Sequence, residues 1–171
     1  MFLDETGITT TLLRRYGRAA RGARVVDAVP FARWETSTFM AALRVTGLTA
    51  PGVFEGAIDG PSVLAYVEQI LVPTLQVGDL VIADNLSTHK VAGIAEAIAA
   101  AGATLLFLPP YSPDLNPIEL CFAKLKAILR AARCRTTETL WPLLGQSLQR
   151  FIADECRRYI RHCGYSGAKR S

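Results

Sequence analysis

Residues 105–126 read LLFLPPYSPDLNPIELCFAKLK, and the elements that this stretch predicts decide the fold. Its first four residues form a short apolar run, which is typical of a β-strand buried on both faces. Three prolines between positions 109 and 113 lack a backbone N–H donor and should therefore end the strand. Asn116 can then cap a helix that has Pro117 at its first position. The stretch predicts a strand, a stiff turn and a helix.

Glu119 lies in the first turn of this predicted helix, just beyond the carboxyl end of the strand. Ligands of open α/β sheets bind at such ends, so Glu119 is a candidate for a functional site. The same residue also completes a capping box, Asn-Pro-Ile-Glu, in which its carboxylate would bond to the backbone at the helix start. The stretch alone favours capping, and the choice depends on other carboxylates in the chain.

The segments before this stretch predict strands first and then alternating strands and helices. Residues 1–3 indicate the end of a strand, cut short by the start of the chain, with Asp4 at its tip. Residues 36–45 and 51–54 predict a hairpin, and residues 80–83 a short buried strand that ends at Asp84. Helices are expected over residues 61–72, 91–101 and 143–159, with a capping box near Glu138, and residues 25–29 suggest one more strand. This order predicts an α/β fold with a mixed sheet and helices on both faces.

Composition places the chain among single-domain proteins. Its 171 residues are enough to bury a sizeable core, and half of them are hydrophobic. No apolar run approaches the roughly 18 residues of a membrane span, and residues 1–4 contain no basic signal-peptide region. We therefore expect a cytoplasmic protein with no membrane partner.

Charge is divided unevenly along the chain. Residues 1–119 hold 8 Lys and Arg and 12 Asp and Glu, whereas residues 120–171 hold 11 and 3. A body of charge −4 and a tail of charge +8 suggest an anionic partner such as a nucleic acid, although a solvated helix face would show the same pattern. The candidate DNA contacts are Arg14, Arg15, Arg18, Lys90, Lys124, Lys126, Arg130 and Arg133.

The four cysteines do not have the spacing of a zinc site. Cys121, Cys134, Cys156 and Cys163 form no CxxC pair, and only His162 lies next to one of them. We expect reduced structural thiols.

Asp4, Asp84 and Glu119 each lie at or just beyond a predicted strand end. If the first strand is central and lies beside the strand at residues 80–83, both aspartates leave the sheet at one edge and Glu119 can reach the same point. Three carboxylates that converge in a partly buried site repel one another and stay ionised only with cations between them. Oxygen ligands select Mg²⁺ or Mn²⁺, and two such ions about 3.5–4 Å apart can catalyse phosphoryl displacement.

Three motifs carry a resemblance to a known family. LDETG at residues 3–7, VIADNLSTHK at 81–90 and LPPYSPDLNPIE at 108–119, followed by FAKLK at 122–126, resemble the catalytic domain of mariner-superfamily bacterial insertion-sequence transposases. The 34 residues between Asp84 and Glu119 are similar in number to the spacing of that family's DDE motif. The resemblance covers residues 1–165, leaving residues 166–171 as a loose basic tail.

The resemblance implies a ribonuclease H-like fold with a five-stranded sheet and a DNA-cleaving enzyme. Asp4 and Asp84 would hold two Mg²⁺ or Mn²⁺ ions, with Asp4 bridging them, and Glu119 would complete the second site. Water and then a DNA 3′-hydroxyl would be the nucleophiles, and Asn85 and His89 would support the ligands or satisfy local backbone groups. DNA at transposon ends and targets would be the partner, bound by a homodimer in a bacterial cell.

The family carries helix-turn-helix modules ahead of the first aspartate, which this chain has no room for. We expect either an upstream segment encoded in another reading frame or a truncated remnant that only binds DNA or dimerises. A different ribonuclease H-like nuclease, such as a junction resolvase, is a further alternative. A nucleotide-binding domain is disfavoured, because the chain contains neither GxGxxG nor GxxxxGK.

For two further residues of the proline-rich turn, Asp114 and Tyr111, the sequence is consistent with more than one role. Asp114 is a rival carboxylate near Glu119 and is better explained as a turn residue in Ser-Pro-Asp-Leu. Tyr111 could stack on a base, but packing in the core or turn is at least as consistent with the sequence.

Overall fold

A mixed five-stranded sheet forms the centre of the protein, in a computed structural model that describes residues 1–12, 16–26 and 35–165. The strand order is β3-β2-β1-β4-β5. Strands β1 to β3 pair antiparallel, whereas β4 and β5 run parallel to β1. The bounds are Phe2–Thr9 for β1, Thr36–Arg44 for β2, Gly47–Glu55 for β3, Leu80–Ala83 for β4 and Thr104–Phe107 for β5. The predicted mixed sheet with a central first strand is confirmed.

Strand β1 is longer than the sequence suggested. The prediction that it ends at Asp4 was wrong, because β1 continues to Thr9 and pairs with β2 over its whole length. The polar residues after Asp4 do not signal a buried strand, but the neighbouring β2 supplies their backbone partners. Strand β4 pairs with β1 only at Phe2 and Leu3, so among the described residues no strand pairs with that edge of β1 from Asp4 onward.

Helices cover both faces of the sheet. Two of them, α1 (Gly60–Tyr66) and α2 (Ile94–Ala100), pack on one face, and α1 continues through a π-helical turn (Val67–Leu71) and a 3₁₀ turn (Val72–Thr74). The other face is covered by α3 (Ile118–Ala132), α4 (Thr137–Leu148) and α5 (Ala153–His162). Both faces of the sheet are therefore apolar at its centre.

Strand β2 shows how one strand serves both cores. Phe39, Ala41 and Leu43 face α3 to α5, whereas Met40 and Ala42 face α1 and α2. The rings of Phe39 and Phe122 meet edge to face with centroids 6.0 Å apart, which joins β2 to α3. Because alternate residues of a strand point to opposite faces, all five are buried only when helices lie on both sides.

The structure corrects three sequence expectations about burial and helix bounds. Strand β5 is not buried on both faces but forms the sheet edge, where Leu106 is 48% exposed and Phe107 is 40% exposed. The helix expected over residues 143–159 is two helices, because α4 ends at Leu148 and α5 begins at Ala153. Phe151 between them is buried in the core, so the apolar pattern of the sequence continues across the break. Val25 and Val26 are exposed and not in a strand, and residues 27–29 lie outside the described residues.

Two further features concern thiols and membranes. Cys121 and Cys156 are buried thiols, and the four cysteines form no disulfide in the structure. Across residues 1–12, 16–26 and 35–165, no helix has the length and apolar character needed to cross a lipid bilayer. The predicted tail at residues 166–171 lies outside the described residues.

Candidate active site

A pocket of about 350 Å³ opens where β4 and β5 end, opposite the first turn of α3. Asp4, Asp84 and Glu119 all line it, together with residues of the proline-rich turn. The parallel register explains why the two aspartates meet, since Leu3 pairs with Ala83 and each aspartate follows directly. The structure thus brings together the three carboxylates that the sequence singled out.

Asp4 is buried in this pocket, with only 4% of its surface exposed. Its Oδ1 accepts a hydrogen bond from the backbone N–H of Glu5 at 2.8 Å. Its Oδ2 accepts one from Nδ2 of Asn116, also at 2.8 Å. Burial and, after it, the nearby charge of Glu119 raise the pKa of Asp4 to about 8. Both effects disfavour the charged form of Asp4 in the metal-free protein.

Asp84 contacts a buried histidine. Its Oδ1 accepts a hydrogen bond from the backbone N–H of Leu86 at 3.2 Å. The same oxygen lies 2.6 Å from Nδ1 of His89, which is close enough for an ion pair, although the two atoms are not aligned for a hydrogen bond. Burial alone would raise the pKa of Asp84, but the contacts with His89 and the Leu86 N–H lower it overall. Asn85, the next residue, also lines the pocket.

His89 links Asp84 to a second carboxylate. It is 2% exposed, and its Nε2 lies 2.7 Å from Oε2 of Glu5. Burial lowers the pKa of His89, but the two carboxylates outweigh this effect and raise it to about 10. His89 therefore lies between Glu5 on β1 and Asp84 beyond β4, and the two carboxylates favour its protonated form. This contact places His89 behind a predicted metal ligand.

Glu119 is positioned by the start of α3. The predicted capping box does not form: the cap position is Pro117, and no side chain bonds to the helix start. Asn116 instead turns its amide towards Asp4, and only its backbone carbonyl accepts the N–H of Glu119, at 3.2 Å. Capping was therefore the wrong interpretation of this motif: the backbone N–H of Asn116 that Glu119 would accept donates to the Pro113 carbonyl at 2.9 Å, and the Asn116 side chain is turned towards Asp4.

The donors in the pocket fit a hard divalent cation. Oxygen atoms from three carboxylates face one space, and carboxylate oxygens are the ligands that Mg²⁺ and Mn²⁺ prefer. The Oδ1 atom of Asn116 is buried and has no hydrogen-bond partner. Among the described residues, no three Asp, Glu, His or Cys side chains are arranged as a ready coordination shell. Ligation would therefore require side-chain movement.

The predicted DNA-contacting cations differ in their surroundings. Arg14 and Arg15 lie outside the described residues, and Arg18 is exposed in the loop after β1. Lys90 is exposed beside the pocket, with its ammonium 5.6 Å from the Phe107 ring centroid. The remaining candidates lie on α3 or at its C-terminal end: Lys124, Lys126, Arg130 and Arg133.

Lys124 is bound within the protein. Its ammonium donates to the Glu155 carboxylate at 2.5 Å and to the Arg150 carbonyl at 2.8 Å, and lies 4.8 Å from the Phe151 ring centroid. These contacts join α3 to α5 and to the segment before it. We therefore expect Lys124 to stabilise this packing, and its contact with DNA stays a prediction.

Sequence reasoning did not identify Glu5 or Asn116. Asp4 and Glu5 point to opposite faces of β1, because side chains alternate along a strand. The sequence did not predict that β1 continues past Asp4, so it gave no orientation for Glu5. Nothing in the sequence distinguishes Asn116 from an ordinary helix cap.

Tyr111 is fully exposed at the pocket with a positive φ of 54°, so packing in the core is excluded. Asp114 is exposed in the turn, outside the pocket lining.

Comparison with solved structures shows the fold of a transposase catalytic domain. The Mos1 mariner paired-end complex with Mn superposes with a TM-score of 0.72 at 16% identity, covering 95% of this chain and 51% of that chain. A pre-cleavage Mos1 transpososome gives 0.72 at 14% identity, covering 98% and 56%. The isolated catalytic domain of Mos1 gives 0.65 at 15% identity, covering 95% and 74%. The chain thus spans about half the length of the transposases in the two complexes.

Comparison of the sequence with known families leads to the same group. No curated protein matches the sequence. The family described as DDE superfamily endonuclease matches residues 1–141, which is most of the chain. The matched segment contains Asp4, Asp84 and Glu119 and all five strands of the sheet. On this match, and with a fold shared with mariner transposases, the chain belongs to the DDE superfamily of endonucleases.

Proposed function

We propose that this chain is the catalytic domain of a DNA transposase that cleaves transposon ends and joins their 3′-hydroxyls to target DNA. One observation carries the proposal: the carboxylates of Asp4, Asp84 and Glu119 line a single pocket although 115 positions separate the first from the last. On a fold of this family, such a pocket suits metal-dependent chemistry at phosphorus.

The proposed roles follow from how each side chain is held. Asp4 and Asp84 extend from neighbouring parallel strands, so they would form the fixed part of a metal site. Glu119 is exposed at the start of α3 and would close the site from the other side. His89 would hold Asp84, and Asn85 would lie beside the bound ligand. When bound, two Mg²⁺ or Mn²⁺ ions would activate the attacking oxygen and stabilise the leaving oxygen.

The wider assembly is also part of the proposal. Residues 1–165 would form the catalytic domain, and a DNA-binding segment with a helix-turn-helix would act together with it. Two copies would pair two DNA ends, by analogy with the paired-end complexes formed by Mos1. A bacterial insertion-sequence origin and a cytoplasmic location complete the proposal.

Binding and nicking assays test this function directly. We expect the chain to bind Mn²⁺ in an electron paramagnetic resonance titration and to nick supercoiled plasmid DNA when Mn²⁺ is present. Anomalous diffraction from crystals soaked in Mn²⁺ should then show density beside Asp4, Asp84 and Glu119. DNA binding without metal binding or nicking would instead identify a non-catalytic DNA-binding module.

The DNA surface can be tested with two lysine variants. Lys90 is exposed beside the pocket, so Lys90→Ala should lower the slope of log affinity against log salt by about 0.9, the value for one phosphate contact. Lys124→Ala is the matched control, because its ammonium is bound to Glu155. It should leave the slope unchanged and lower the free energy of unfolding by about 1 kcal/mol. An altered slope only in Lys124→Ala would place the DNA on α3 instead.

A further inference from the structure

Asn116 occupies an unusual position for an asparagine that precedes a helix. It is 3% exposed, follows the 3₁₀ turn Pro113–Leu115 and comes two residues before α3. An asparagine there ordinarily accepts a backbone N–H of the first helical turn with its side-chain oxygen. The structure gives Asn116 no such bond. Its burial therefore has to be explained by another contact.

That contact is the hydrogen bond from Nδ2 of Asn116 to Oδ2 of Asp4, at 2.8 Å. The other oxygen of Asp4 accepts the N–H of Glu5, so the carboxylate is held at both oxygens. The hydrogen bond from Glu5 joins neighbouring residues of β1, whereas the hydrogen bond from the Asn116 side chain joins positions 112 residues apart. Both bonds limit rotation of the Asp4 carboxylate, and the bond from Asn116 is the one that a side-chain substitution can remove.

The other end of the amide is left without a partner. Oδ1 of Asn116 is buried and accepts no hydrogen bond, although Asn116 lines the pocket. Buried polar atoms in folded proteins are almost always paired, and an exception requires an explanation such as a water or ligand at a functional site. A donor that enters with the substrate or its water would satisfy this oxygen.

We propose that Asn116 is a positioning residue that fixes the orientation of the Asp4 carboxylate for metal binding, with its Oδ1 as acceptor for a donor in the loaded site. The inference rests on the proposed function, because it assigns Asp4 to the metal. Residues behind metal ligands commonly change metal affinity by 10–100-fold when they are removed. Asn116 differs from the three carboxylates in that it would act through Asp4.

The test compares Mn²⁺ affinity in four proteins by electron paramagnetic resonance: the parent chain, Asn116→Ala, Asp84→Asn and Ser147→Ala. We expect Asn116→Ala to weaken Mn²⁺ binding about tenfold and to raise by the same factor the Mn²⁺ concentration for half-maximal nicking. The maximal nicking rate at saturating Mn²⁺ should change less. Ser147 is the matched control, since it is buried, donates a hydrogen bond to the Leu143 carbonyl and does not line the active-site pocket. Ser147→Ala should keep the parent affinity.

The outcomes separate this inference from the proposed function. Unchanged Mn²⁺ affinity in Asn116→Ala, with binding lost in Asp84→Asn, overturns the role of Asn116 and leaves the metal site intact. An equal loss of affinity in Asn116→Ala and Ser147→Ala would indicate general destabilisation and also overturn it. A parent chain that binds no Mn²⁺ refutes both the inference and the proposed metal site.

Discussion

Asp84→Asn is expected to lower the rate of Mn²⁺-dependent DNA nicking by about a thousandfold or more while the protein remains folded. The substitution keeps the shape of the side chain and the oxygen that accepts the Leu86 N–H. It removes the negative charge that would attract the metal. Metal ions supply several kcal/mol of transition-state stabilisation, and a loss of about 4 kcal/mol corresponds to a thousandfold in rate.

The measurement is the initial rate of plasmid nicking, with circular dichroism to verify the fold. Asp114→Asn is the control, because Asp114 is an exposed carboxylate of the adjacent turn that does not line the pocket. It should nick at the parent rate. Equal rates for Asp84→Asn and the parent would remove Asp84 from the catalytic site, and a loss only in Asp114→Asn would transfer the role to the turn.

Asp4→Asn is expected to abolish nicking and yet to stabilise the metal-free fold at pH 8. In the folded chain the pKa of Asp4 is raised to about 8, whereas an exposed aspartate has a pKa of 3.8. The folded state therefore holds this proton more tightly, and the stability that the group contributes is fully present below about pH 4. It is lost as the pH rises towards 8, by several kcal/mol, since each tenfold difference in proton affinity corresponds to about 1.4 kcal/mol.

Urea unfolding in EDTA at pH 4 and at pH 8 measures this effect. Asp4→Asn should be more stable than the parent at pH 8, and the difference should shrink towards zero at pH 4. The raised pKa of His89 also weakens the fold at high pH, but parent and variant share that contribution. Asp59→Asn is the control at the exposed N-cap of α1, where asparagine caps as well as aspartate.

A second part of the same experiment concerns the metal. Mn²⁺ should raise the urea midpoint of the parent at pH 8, because a ligand that binds only the folded state stabilises it. Asp4→Asn should lose this increase. A variant that is less stable than the parent in EDTA at pH 8 would show that Asp4 is not electrostatically unfavourable, and would count against a site that needs a cation.

Local sequence determined the frame of this protein. Four apolar residues at 80–83 specify strand β4 and place Asp84 at its end, because such a run is typical of a strand in a sheet covered by helices. The prolines after Phe107 end β5 and deliver Glu119 to the start of α3. Apolar spacing along residues 118–132 requires a helix packed on one face, and that helix is found. These signals extend over a few residues, so a sequence can show them directly.

Only the tertiary structure decided how the site is held. Asn116 caps nothing because its side chain turns towards the buried Asp4, 112 positions away, and donates to it through Nδ2, so that its Oδ1 accepts no N–H of the first helical turn. Glu5 reaches His89 across 84 positions because β1 continues beyond Asp4, and pairing with β2 rather than hydrophobic pattern makes it continue. Such contacts depend on which segments the fold brings together. Local preference identified the three carboxylates, and long-range burial and charge selected the residues that orient them.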